Sequence, residues 1–122
     1  MEYFTILQTP VDEWQTIKEA PPAIRAEVIE KCNGFITEVN AGHKGKRLFA
    51  IWINPERTEA QQLHTIGHEL AHLDRLHLDR LHLDRAEVEQ SEAEARSAAA
   101  SYAERYARGD FDAWKVDSSR LH

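Results

Sequence analysis

Read by its apolar and polar positions, the chain breaks into short segments bounded by prolines, glycines and capping residues. Residues 3–7 read as a short strand. Thr9-Pro10-Val11-Asp12 has the form of a helix start, with Thr9 as N-cap and Pro10 at the first helical position. Val11, Trp14 and Ile17 form the inner side of that helix, and Pro21-Pro22 stops it. A second helix is predicted from about Pro22 to Asn33, burying Ile24, Val28, Ile29 and Cys32, with Gly34 ending it at positive φ. Residues 35–39 and 47–53 are rich in β-branched and aromatic side chains and read as two strands, joined by a hairpin loop over residues 40–46. Asn54-Pro55 breaks the second strand. Thr58-Glu59-Ala60-Gln61 then has the form of a capping box and starts another helix.

On a wheel of about 100° per residue, Leu63, Ile66, Leu70 and Leu73 of that helix share one narrow stripe. His68 and His72 fall opposite, with Gly67 and Ala71 between and beside them. The helix is therefore expected to bury one face and line a cleft with the other. His68-Glu69-Leu70-Ala71-His72 is an HExxH arrangement. Two imidazoles four residues apart point the same way and can share one zinc ion, with Glu69 beside them to accept a proton from water. The alternative is a solvated pair of histidines and an ordinary surface glutamate.

Leu-Asp-Arg-Leu-His then occurs at residues 73–77 and again at 78–82, followed by Leu83-Asp84-Arg85. Five residues turn a helix by a net angle of about 140°, so successive copies face different directions. The unit reads as a tandem duplication that lengthens a connection, or as a source of a metal ligand in His77 or His82. A long helix follows from residue 86 to about 107, ended near Gly109. Val88, Ala95, Ala99, Tyr102 and Tyr106 lie within about 60° of one another. Among its acidic residues only Glu92 falls inside this stripe, whereas Glu87, Glu89, Glu94 and Glu104 point elsewhere. A carboxylate aimed at a core needs a cationic partner or a metal, which makes Glu92 the natural third ligand; otherwise it sits at the stripe's edge and reaches water. Phe111 and Trp114 are expected to dock on the core, and the chain beyond Val116 to fray.

Composition narrows the picture. At 122 residues the chain is expected to form one domain over residues 1–116, α+β in class, with a small antiparallel sheet packed on helices. A net charge of −6 argues against nucleic acid as a direct partner. With no apolar run of about 18 residues and no basic-then-apolar N-terminus, neither a membrane span nor a signal peptide is expected. Cys32 is the single cysteine and reads as a small core residue rather than a nucleophile. These features point to the cytoplasm.

Residues 51–106 resemble the ImmA/IrrE-type zinc metallopeptidases of phages, integrating elements and stress-responsive bacteria. The resemblance rests on Ile53-Asn54-Pro55, on His68-Glu69-Leu70-Ala71-His72, on His77 five residues further, and on Glu92-Ala93-Glu94-Ala95, similar to that family's Glu-x-Glu-Ala-Asn segment. Arg96 stands where the family usually has Asn or Asp, residues 97–100 lack its usual phenylalanine, and the repeat lengthens the link between the motifs. The resemblance implies a gluzincin-like fold in which His68, His72 and Glu92 hold zinc and Glu69 is the general base. It also implies a helix-turn-helix repressor as substrate. The expected function is a zinc endopeptidase acting on a regulatory protein. The competing readings are a non-catalytic metal-binding module that regulates a partner by binding, and a purely structural helical protein.

Overall fold

The computed structural model describes residues 1–9, 21–75 and 85–117. The predicted helix bearing Val11, Trp14 and Ile17, the repeat from residue 76 with His77 and His82, and the tail after Asp117 lie outside the described residues. The described chain is α+β, as its patterning predicts. In order it forms β1 (Tyr3–Leu7), α1 (Pro22–Lys31), β2 (Gly34–His43), β3 (Lys46–Ile53), α2 (Glu59–Asp74), α3 (Arg85–Ala107) and a short 3-10 helix (Asp112–Trp114).

The strands form one sheet in the order β1-β3-β2. β2 and β3 are the expected antiparallel pair, but β1 runs parallel to β3, from Tyr3↔Leu48 to Leu7↔Trp52. The sheet is therefore mixed rather than antiparallel throughout. Parallel strands need a long crossover, and the chain between Leu7 and Lys46 supplies one. The hairpin is also tighter than its sequence suggests. Lys44 and Gly45 have φ of 50° and 75°, the left-handed pair of a two-residue turn, and pairing continues to His43↔Lys46. A register shift between Val39 and His43, with Gly42 at φ 65°, absorbs the residues that break the alternation. What reads as a seven-residue loop is mostly strand.

Three expectations around α1 are corrected. Ile24 is 51% exposed rather than buried. The end of α1 is held by polar bonds instead: Arg57 donates through Nη2 to the Glu30 carbonyl and through Nε to Asn33 Oδ1 (2.8 Å). Gly34 does not end α1 at positive φ; it is the first residue of β2. Its need is for space, because a Cβ there would run into the Trp52 carbonyl oxygen and lie 2.8 Å from Thr65 Cγ2. Cys32 is only partly buried.

The core gathers Phe4 from β1, Phe49, Ile51 and Ile53 from β3, Ile66, Leu70 and Leu73 from α2, and Ala95 and Tyr102 from α3. Phe111 joins it, stacked on Tyr102 with centroids 5.9 Å apart, and Trp114 packs against its margin, as expected. Val116 is buried and donates its N–H to the Phe4 carbonyl at 2.7 Å, which ties the end of the described chain to β1.

Packing corrects the wheel drawn for α2. Thr65, Ile66, Gly67, Glu69, Leu70, Ala71, His72 and Leu73 are all buried, so this half of the helix is covered nearly all round. The reason is the closeness of α3. A Cβ on Gly67 would lie 2.7 Å from Ala103 N and overlap the Ala99 carbonyl oxygen, so only glycine admits α3 at this distance.

Candidate metal centre

The site is assembled from α2 and α3. Thr58 caps α2: its Oγ1 accepts from Gln61 N–H at 3.2 Å, and Gln61 Oε1 accepts from Thr58 N–H at 3.0 Å. This is the expected capping box, and it sets the start of the helix that carries His68 and His72. Asn54, fully buried, fixes the approach to that cap. Its N–H donates to Asn33 O, its Nδ2 to Cys32 O, and its Oδ1 accepts from Glu56 N–H, each at 3.0 Å. Asn54 thus does more than break a strand: it ties the end of β3 to the start of β2. An asparagine before a proline at a strand end was its only trace in the sequence.

Three side chains converge as expected. His68 Nε2 and His72 Nε2 are 3.2 Å apart. Glu92 bridges them, with Oε2 3.3 Å from His68 Nε2 and Oε1 3.2 Å from His72 Nε2. The three donor atoms form a cluster able to hold a metal ion. A tetrahedral ion with bonds of about 2.0–2.1 Å sets its ligand atoms about 3.3–3.4 Å apart, close to the 3.2 Å between the two imidazole nitrogens, and Glu92 turns a different oxygen toward each of them. Two imidazole nitrogens and a carboxylate this close repel one another unless a proton or a cation lies among them. His72 is completely buried, while the side chains of His68 and Glu92 are 21% and 29% exposed, so the triad faces outward through the latter two.

The neighbouring acids of α3 are placed elsewhere. Glu94 accepts from Gln90 and lies 3.8 Å from Arg75 Nη1. Glu104 lies 3.9 Å from Arg108, and Glu89 is exposed. The side chains of Glu87 and Val88 lie outside the described set. Ala95, Ala99 and Tyr102 are buried on the stripe that marked Glu92, with Tyr106 half-buried. Arg96, in the resemblance's Asn or Asp position, is exposed.

Glu69 is buried, 7% exposed, and together with His68 and Glu92 lines a cleft of about 430 Å³. The opposite wall is residues 34–38 of β2 with Arg47 and Phe49 of β3. A strand that borders such a cleft can pair with an extended peptide, and the strand leading into α2 is β3. It does not have an edge to offer, because β3 is central and bonded on both sides; among the described residues, the strand at the sheet edge beside the cleft is β2. Sequence reading missed this, and missed Arg47 as a cleft residue. A larger cavity of about 730 Å³, bordered by Leu63, Tyr106 and Lys115, lies away from the triad. Burial, and secondarily the negative charge of Glu69, push the Cys32 thiol above its ordinary value.

No described helix is long and apolar enough to cross a membrane. Compared with known proteins, the chain matches no family model, no curated protein and no solved structure.

Proposed function

We propose that this chain is a zinc-dependent endopeptidase of the ImmA/IrrE type, cleaving a regulatory protein in the cytoplasm. The substrate implied by the resemblance is a helix-turn-helix repressor of a phage or mobile element. The observation that carries the reading is the convergence of His68, His72 and Glu92, whose ligand atoms lie within 4.8 Å of one another, with Glu69 buried in the wall of the same cleft. Two imidazoles and one carboxylate are the donor set of catalytic rather than structural zinc, which favours thiolates.

Zinc held by these three side chains supplies Lewis acidity, which makes water more acidic and a carbonyl carbon more electrophilic. Glu69 then serves as the general base: its carboxylate takes a proton from the attacking water and passes it to the departing amine nitrogen. Its burial keeps competing solvent away and strengthens its electrostatic coupling to the neighbouring groups. Residues 34–38 of β2, the outer strand among the described residues, line the cleft, and an extended peptide would lie along them as an added strand.

The test is cleavage of a degenerate peptide mixture, and of candidate repressors, by zinc-loaded protein. Wild type is expected to cleave. Glu69→Gln is expected to keep zinc and lose cleavage. A non-catalytic binding module would instead retain a partner equally in both forms and cut it in neither.

A further inference from the structure

Arg47 occupies an unusual place. It lies on the same row of β3 as Phe49, Ile51 and Ile53, the row that enters the core, yet it reaches the cleft rather than the interior. Glu38 sits opposite Phe49 in the β2–β3 register, so the three side chains share one face. Arg47 Nε and Nη2 both donate to Glu38 Oε1, at 3.1 and 2.7 Å. The guanidinium carbon stands 4.9 Å from the centre of the Phe49 ring. An aromatic face and a carboxylate edge therefore hold the guanidinium in one orientation in the cleft wall.

Among the described residues lining the cleft, Arg47 is the one lysine or arginine, set among Glu38, Glu69 and Glu92. A divalent ion in the triad would bring the formal charge of this set to zero, so an arriving carboxylate would no longer be repelled. The Arg47–Glu38 pair is about two-fifths exposed on both sides, and such pairs contribute little by themselves. It is a weak clasp that a substrate carboxylate can share. A planar guanidinium fork suits a carboxylate better than any other peptide group.

We propose that Arg47 is a specificity residue that selects an aspartate or glutamate side chain close to the scissile bond. This rests on the peptidase reading above, and the experiment separates the two. Peptides carrying Glu, Gln or Lys at each successive position of a Gly/Ala background are titrated against zinc-loaded Glu69→Gln protein, and their cleavage by wild type is followed in parallel. Binding is expected to favour Glu over Gln at one or two positions by about tenfold. Arg47→Gln in the Glu69→Gln background should erase that preference while zinc content and melting temperature stay unchanged. Arg47→Glu should turn it toward Lys, and Glu38→Gln should retain the preference for Glu. Acid-selective binding that survives Arg47→Gln overturns the proposal. So does a Lys preference abolished by Glu38→Gln, or the absence of binding by every peptide. Arg47-dependent binding of acidic peptides that wild type never cleaves would leave Arg47 as the residue that selects an acidic side chain in the cleft and remove the peptidase reading.

Discussion

His72 Nε2 lies 3.2 Å from Glu92 Oε1, although His72 is completely buried and the Glu92 side chain is 29% exposed. The two residues join the interior to the cleft, and their different burial predicts different consequences when each is removed.

Purified protein should carry about one zinc per chain, measured by metal analysis. His68→Ala and His72→Ala should each lose it. Glu92→Gln should weaken it on the order of a hundredfold or more, because three ligands share a binding free energy on the order of 10 kcal/mol. Glu94→Gln should retain the metal, since Glu94 lies beside Arg75. His77→Ala and His82→Ala should retain it as well. Loss of zinc in either of the last two would show that the repeat supplies a ligand.

In metal-free protein, His72→Ala should lower stability by about 1–3 kcal/mol through the space it leaves, whereas His68→Ala, partly exposed, should cost less. Urea melts in the presence of a chelator separate the two. Equal costs would mean that His72 is not packed as described.

Gly67→Ala should destabilise the fold by about 1–3 kcal/mol, even though alanine is the better helix former by about 1 kcal/mol. The added Cβ falls 2.7 Å from Ala103 N, and α3 must retreat to admit it. Because α3 carries Glu92, zinc affinity should fall too. A stabilised Gly67→Ala variant would mean the helices are further apart than they stand here.

Asn54→Ala should cost about 2–3 kcal/mol, since it leaves the Cys32 carbonyl and the Glu56 N–H without their present bonds to the side chain. The loss should appear first as faster hydrogen exchange at residues 33–35, where the start of β2 is tied to the end of β3.

Stability should also decline at alkaline pH. Burial and Glu69 raise the Cys32 thiol above 9.0, and burial and the hydrogen bond to Asp74 raise the Tyr102 phenol above 10.0. A group whose folded pKa is raised contributes stability that is complete below its unfolded value and is lost as the pH climbs through the folded value. Urea midpoints should therefore be flat below about pH 9 on this account and fall above it. Cys32→Ala should remove the part of that fall nearest 9.0. Alkylation of Cys32 in folded protein at about pH 8 should be slower than in urea.

The sequence alone determined what depends on neighbours a few residues apart. Thr58 and Gln61 form their cap through local bonds, so the start of α2 could be read directly. The four-residue spacing of His68 and His72 brings their imidazoles together on any helix, and the wheel of α3 singled out Glu92 from Glu89 and Glu94 by angle alone. Tertiary structure decided the rest, because it depends on contacts between residues far apart in the chain. That β1 joins β3 in parallel, leaving β2 at the edge beside the cleft, follows from sheet order, which no local pattern encodes. The burial of α2 around nearly its whole circumference depends on α3 closing over Gly67, and a wheel drawn for one helix cannot show its neighbour. Gly34 looked like a helix terminator and is instead a point where β2 passes too near Trp52 and Thr65 for a side chain. Arg47 looked like the start of a strand, and only the pairing of Glu38 with Phe49 brings it to the cleft that holds the triad.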